Sequence, residues 1–529
     1  MSHIRRDVWK LPAGDTTLEW YGKAVQALQQ RPVADVTSWW SLAAMHGIDQ
    51  DLWHNLSVDP SFEPADVTAL QQRLWDQCQH QTWFFLPWHR GYLAAFERIV
   101  RDAVTRLGGP GDWALPYWNY SDDPAARELP RAFANPTLPD GGKNFLHVKQ
   151  RYGTAVIPNV QSPILLDERT VMVAKTLQQP FFAGLGSGGT SGFGGVRTPF
   201  HHGDNAGTFG GLEIQPHGII HTAVGGPITG GGPEPDLLDL GLMTNPDTAA
   251  LDPIFWLHHA NIDRLWTVWS RQAKRPTDPA DAFQNPTDAD WLDGPRDRRF
   301  LLPRPDGTTY GFTAREMLDT TAPSLDYVYE HEATPAPPLE TLVTRFQRLG
   351  ATAERAHQLA GAVAMAPPKP PELLGASPDL VRLDRDSVEA RVMLDPAPRH
   401  RLTAALRVDR ADAGAPDRVY LNLENIRSPS DAAMFYVYVD LPSGADPERH
   451  PANFAGTISL FGVSKASVTR GGAPGNGATI SLDITEIVDA MQAKGGLGDD
   501  IAVRVVAAVP GATNDDISIG RISVYRQGH

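Results

Sequence analysis

The sequence predicts a mainly α domain followed by an all-β sandwich of jelly-roll type. Three observations carry the prediction. Trp-rich stretches with helix start signals and four-residue spacing fill the chain up to about Tyr329. Period-two alternation of apolar and polar residues governs the last part of the chain. Between them lies a proline-dense stretch that favours an extended spacer. The expected boundaries are residues 1–333 for the first domain, 334–386 for a partly helical linker and 387–529 for the β domain.

The helical elements follow in chain order. Trp39-Trp40-Ser41-Leu42-Ala43-Ala44-Met45-His46-Gly47 reads as a helix ending at Gly47, with His46 in its last turn. Next comes Cys78-Gln79-His80, with Pro87-Trp88-His89 after it. On one straight helix His80 and His89 would face opposite ways, because nine residues make about two and a half turns. Pro87 should break the helix, so that one helix ends near His80 and another starts near Trp88. His217 and His221 stand four apart, one above the other on a helical face, with Pro216 at the helix start. Asp252 caps a further helix and Pro253 fits its first turn. On that helix Phe255, His259 and Asp263 share a face. His258 is rotated by about 100° and should point elsewhere.

A glycine-dominated stretch from Phe181 to Gly232 is too long for an idle loop in a compact domain. The linker opens with Pro335-Ala336-Pro337-Pro338 and closes with Pro367-Pro368-Lys369-Pro370-Pro371. One Ala-rich helix is expected between, near Leu339–Val363. Strands are expected around Val419, Leu421 and Leu423, around Phe435, Val437 and Val439, around Ile501, Val503 and Val505, and around Ile517 and Ile519.

Charge and composition narrow the function. The 529 residues hold 62 acidic and 47 basic side chains, a net charge of −15. That excess argues against nucleic acid and against an anionic membrane as partners. Cys78 is the one cysteine, so no intramolecular disulfide is expected. The N-terminal residues contain no apolar stretch, so a cytoplasmic protein is the default expectation. Histidine is the informative residue: 11 of 17 lie between His46 and His259. They suggest two triples, His46, His80, His89 and His217, His221, His259. Neither has a thiolate or carboxylate in ligand register. All-imidazole sites suit copper, zinc, iron or nickel.

His80 to Glu97 and Asp252 to Asp263 closely resemble the two signature segments of the type 3 dicopper family. That family comprises tyrosinases, catechol and polyphenol oxidases, and molluscan haemocyanins. The resemblance implies a four-helix-bundle dicopper core with long loops. It implies two copper ions as cofactors, O2 as co-substrate and a small phenol as substrate. His46, His80 and His89 would hold the first copper; His217, His221 and His259 the second. His54 competes for the first position, but the Ala43-Ala44-Met45-His46-Gly47 context resembles the family's first ligand helix. Cys78, two before His80, would form a thioether to that ring. Glu213 would hold a water near the copper pair, and Phe255 would pack beneath it. Pro246 matches a gate position. Asp263 would orient His259. Gly218 stands where many hydroxylating members carry Asn or Asp, so diphenol oxidation is expected ahead of monophenol hydroxylation.

Arg5-Arg6-Asp7-Val8-Trp9 and Tyr327-Val328-Tyr329 resemble the segments that open and close the catalytic domain of plant-type polyphenol oxidases. There an N-terminal arginine pairs with acidic groups near the Tyr-x-Tyr. Phe435–Val439 and Phe454-Ala455-Gly456 resemble that group's C-terminal sandwich, which covers the active-site mouth and keeps the enzyme latent. The leading expectation is therefore an oxidase turning o-diphenols into o-quinones, latent until the C-terminal domain is displaced. Its rivals are an o-aminophenol oxidase, a haemocyanin-like O2 carrier, and a zinc hydrolase using one triad with Glu213. A homo-oligomer is compatible with all of these. The residue that would cover the mouth is not named by the sequence.

Overall fold

The computed structural model describes residues 2–55, 67–153, 164–186, 188–198, 207–226, 241–272, 282–294, 299–330, 341–363, 369–409, 414–468, 475–511 and 516–528. Residues 335–338 and 367–368 of the proline-rich stretches lie outside these, as does part of the glycine-dominated stretch.

The helical domain opens with β1 (His3–Arg5), α1 (Thr17–Gln29), α2 (Trp39–Ala44) and α3 (Phe85–Arg106). It continues with α4 (Ile219–Gly225), α5 (Pro253–Ser270) and the closing strand β2 (Tyr327–Tyr329). Ser38 caps α2 by accepting from the Ser41 N–H. Asp252 caps α5 in the same way through Ile254, with Pro253 in the first turn. The helices α3 and α5 form the spine. Phe96 stacks on Trp256 between them, with ring centroids 3.4 Å apart and planes within 6°. Such a pair adds about 1 kcal/mol beyond its buried area. Gly91 lets Phe312 pack against α3, since a Cβ there would sit 2.6 Å from that ring.

Three local expectations change. α2 ends at Ala44, and His46 sits in the turn just beyond. Pro87 lies in the first turn of α3, where its missing N–H has no helical partner to lose, so it does not break the helix ahead of His89. His80 lies instead in the turn that precedes α3. Pro216 sits inside a wound turn over Glu213–Gly218, and regular helix begins only at Ile219 because Gln215 is extended.

β1 and β2 pair in parallel, His3 to Tyr327 and Arg5 to Tyr329, which ties the start of the domain to its end. Arg5 is fully buried there. It reaches Glu97 at 2.6 Å, Asp263 at 3.2 Å and the Tyr329 hydroxyl at 2.9 Å. Its guanidinium lies 3.5 Å from the Tyr327 ring centroid.

The expected single helix after the catalytic domain is two: α6 (Leu342–Arg348) and α7 (Ala353–Ala362). Gly350, at φ 97°, separates them. The β domain then begins earlier than expected, inside the stretch read as linker. Its strands are β3 (Glu372–Ala376), β4 (Val381–Arg382), β5 (Ser387–Leu394), β6 (Arg418–Arg427), β7 (Met434–Val439), β8 (Phe454–Ser459), β9 (Ala478–Asp483), β10 (Asp500–Ala507) and β11 (Ser518–Gln527). β3 belongs to the sheet because it pairs with both β11 and β5. The order is β8-β7-β10-β5-β3-β11-β6-β9, with β4 added on β11. This one sheet rolls nearly shut: Gly456 of β8 packs against Leu482 of β9. Its inward residues, such as Val419, Leu421, Leu423, Val437, Val503 and Val505, form one apolar core. A short helix, α8 (Val463–Ser467), follows β8 and faces the helical domain.

Candidate metal centre

The turns after α2 and before α3, the wound turn over Glu213–Gly218, and helices α3, α4 and α5 bring the six expected histidines together. His46, His80 and His89 have ring centroids 5.1–6.0 Å apart. His217, His221 and His259 lie 4.6–5.4 Å apart. The triads face each other: His89 stacks on His259 at 4.4 Å, and His80 lies 5.6 Å from His217. His54 is exposed on a separate short helix, away from both triads.

Backbone carbonyls set four of the rings. Nδ1 of His46 meets the Pro246 carbonyl at 2.8 Å, that of His89 meets Phe85 at 2.8 Å, and that of His221 meets Met243 at 2.9 Å. Nδ1 of His217 faces the Glu213 carbonyl at 3.3 Å. A donated Nδ1–H leaves Nε2 as the acceptor, which is the form a metal ligand needs. Nε2 of His217 is buried with no hydrogen-bond partner among the described residues. Nε2 atoms of His221 and His259 converge to 3.2 Å. Burial, and repulsion from neighbouring imidazoles, holds His217, His221, His258 and His259 well below the ordinary histidine range. Converging ring nitrogens in both groups, on rings that burial keeps neutral in the second, fit metal ions.

The other expected residues fall into three groups. Phe255 is buried between the triads, 4.9 Å from His46 and 4.2 Å from His259. The Cys78 sulfur lies 3.6 and 3.5 Å from the two nitrogens of His80 and 3.4 Å from Nε2 of His89. Glu213 is buried beside the cluster and accepts from the Gln81 N–H at 2.8 Å. Burial pushes its carboxyl up to about 8, with the Gln81 and Gly210 amides opposing. Pro246 is buried and touches the site through its carbonyl on His46. Gly218 faces the β domain, where a Cβ would lie 3.7 Å from that of Phe461.

Asp263 does not orient His259. Its carboxylate accepts from Arg90 at 2.5 Å, from Tyr327 at 2.5 Å and from Tyr329 at 2.6 Å, besides Arg5. Burial would raise its pKa, but Arg90, Arg5 and the two phenols outweigh burial and hold it below the ordinary range. Nδ1 of His259 has no hydrogen-bond partner among the described residues. Asp263 joins α3 and α5 to the domain's first and last strands.

Two residues escaped the sequence reading. His258 lies against the second triad, 5.0 Å from His221 and 5.6 Å from His217, with Nδ1 3.1 Å from the Tyr120 hydroxyl. A 100° rotation turns its ring from His259 only to the flank of the cluster. Phe461, from the β domain, lies over the second triad. It stacks on His221 at 3.9 Å and meets His80 and His217 edge-on at 5.5 and 5.6 Å. No local pattern marks it, because its role comes from domain docking.

Comparison with known proteins places this geometry. The model of the common central domain of tyrosinase matches residues 36–272. A domain of unknown function, DUF7868, matches residues 370–527. Tyrosinase HcTyr1 of Hahella sp. is 31% identical over 536 residues, which cover 99% of this chain and 99% of that protein. The chain belongs to the tyrosinase family. This tyrosinase-family chain is also 28% identical to a chloroplastic polyphenol oxidase of Malus domestica, over 59% of its length and 46% of the plant protein. Latent apple tyrosinase shares the fold of both domains, with a TM-score of 0.59 at 22% identity, covering 100% of this chain and 97% of that one. As a member of the tyrosinase family the protein is a copper oxidoreductase, and its two histidine groups fit two copper ions.

Proposed function

We propose that this enzyme oxidises o-diphenols to o-quinones with O2 and that its β domain holds it latent. The carrying observation is Phe461, an aromatic ring seated on His221, His80 and His217. The space it fills has the shape and surroundings a phenol ring needs, and a substrate must displace it to enter.

His46, His80 and His89 would hold one copper; His217, His221 and His259 the other. A bound copper pair would supply the redox chemistry by which two diphenols, giving up two electrons each, reduce one O2 to two waters and leave as two quinones. The chain's own residues prepare that chemistry. Carbonyls of Pro246, Phe85 and Met243 fix the tautomers of His46, His89 and His221. Phe255 and the tryptophan-lined core exclude water from below. Glu213 would hold a water beside the pair. Gly218 offers no side chain to polarise that water, which favours diphenols over monophenols. Cys78 would bond to His80 as a thioether and restrain the ring.

Oxygen uptake tests the reading. Copper-loaded protein, cleaved ahead of β3, should turn over 4-tert-butylcatechol faster than the intact chain and faster than it does tyrosine or an o-aminophenol. Unchanged uptake after cleavage, with copper retained, would count against latency. Preferred uptake on the o-aminophenol would overturn the substrate class.

A further inference from the structure

We infer that Lys465 is a positioning residue for His46: the helix that carries the cover over the second triad also clamps a ligand of the first. This rests on the dicopper reading above.

The geometry is short-range. Gly462, left-handed at φ 80°, turns the chain from Phe461 into α8. One helical turn on, the Lys465 ammonium lies 2.6 Å from Asp247 and 3.3 Å from Asp76, with the lysine mostly buried. Both carboxylates belong to the helical domain, and each sits beside a segment that holds His46.

Asp247 follows Pro246, whose carbonyl receives Nδ1 of His46. Trp53 pins the Asp247 carbonyl at 2.6 Å. The fit is tight: a Cβ on Gly47 would lie 2.7 Å from Asp247 Oδ1 and 2.8 Å from the Pro246 carbonyl. Asp76 takes the left-handed backbone at φ 55°, a conformation aspartate tolerates better than most residues. Its N–H donates to the Ala44 carbonyl and that of Gln77 to the Met45 carbonyl, each at 2.9 Å. Those carbonyls belong to the two residues before His46, and Cys78 follows directly. His46 is thus bracketed, Ala44–Met45 by Asp76–Gln77 and Gly47 by Pro246–Asp247. One ammonium ties the brackets together.

Removing the positive charge leaves two carboxylates within about 6 Å of each other, that of Asp247 mostly buried and that of Asp76 partly open to water. They repel, and each pulls its own segment away from His46. The clamp acts through His46 and touches neither substrate nor metal. Displacing the β domain therefore has two separable effects: it uncovers the second triad and it loosens the first.

The test uses full-length, copper-loaded protein and a copper chelator. Copper per chain is followed over time in the wild type, Lys465→Met, Lys465→Arg and Phe461→Ala, beside catechol turnover. Lys465→Met should release one of two coppers about tenfold faster or more, the size expected when the group behind a ligand is lost. Lys465→Arg, which keeps the charge, should restore retention. Phe461→Ala should raise turnover yet hold both coppers as the wild type does. Should Lys465→Met fail to fold, Asp76→Asn takes its place, with a smaller acceleration expected. Wild-type retention in the charge-loss variant would overturn the inference. So would copper loss from Phe461→Ala as fast as from Lys465→Met, since exposure would then be the cause. A wild type holding fewer than two coppers would overturn the dicopper reading, and this inference with it.

Discussion

Phe461 lies parallel to His221, with ring centroids 3.9 Å apart and planes 11° apart. The two residues belong to different domains, and their contact turns a β domain into part of a metal centre. The stacked pair is buried on both sides, and under the proposed latency a phenol would reach the histidines only after Phe461 moves.

Phe461→Ala should therefore activate the enzyme without cleavage. If the closed state is favoured by about 1.4 kcal/mol, emptying the position raises the competent fraction, and catechol turnover, about tenfold. The same change should destabilise the folded chain by about 3–5 kcal/mol, because a buried aromatic is lost. Oxygen uptake and thermal unfolding read the two effects. Unchanged uptake in a folded, copper-loaded variant would show that Phe461 is no barrier.

Asp263→Ala should act on stability rather than on copper. It removes the carboxylate that Arg5 and Arg90 share in the interior. Breaking one side of a buried pair costs about 3–5 kcal/mol. Unfolding should shift strongly downward while the folded fraction keeps its copper. Lost copper with unchanged unfolding would return Asp263 to a role at His259.

Asp431 should give the domain contact a measurable pH slope. Burial pushes its carboxyl up to about 6; Ser464 opposes, Asp247 adds to the rise and Lys465 opposes. A folded-state pKa above the unfolded one means that protonation favours folding. This contribution is complete below the ordinary value of 3.8 and is lost as pH rises through about 6. Asp431→Asn removes it. Between about pH 5 and pH 7.5 the wild type should lose on the order of 1 kcal/mol more stability than the variant. Urea unfolding at both pH values checks this, and parallel slopes would contradict it.

Cys78 should be joined to His80 in copper-loaded protein exposed to air. Forming the C–S bond removes the thiol hydrogen and one ring hydrogen, with oxygen as the oxidant. Intact mass should be two hydrogens below the sequence mass, and alkylation under denaturing conditions should fail. An alkylated, full-mass holoprotein would reject the bond.

Local physics made much of this legible from the sequence. The cap of Asp252, the i to i+4 pair His217 and His221, and the period-two strands around Leu421, Val437 and Val503 depend on near neighbours. What escaped depends on residues far apart in the chain. Phe255, His259 and Asp263 do share a face of α5, yet the carboxylate turns to Arg5 and Tyr327, which only the pairing of β1 with β2 brings near. β3 carries no alternation of its own and is a strand because β11 and β5 receive it. Pro87 differs from expectation for another reason: proline is costly inside a helix and harmless in its first turn, where it stands here. Phe461 and Lys465 sit in an ordinary stretch between β8 and the next turn, and only docking gives them partners.

Metal content of the purified holoprotein tests the central claim most directly. Two facing triads predict saturation at two coppers per chain, falling to one when either His46→Ala or His259→Ala empties a single triad. Saturation at one metal, or tighter retention of zinc than of copper in the wild type, would contradict the account.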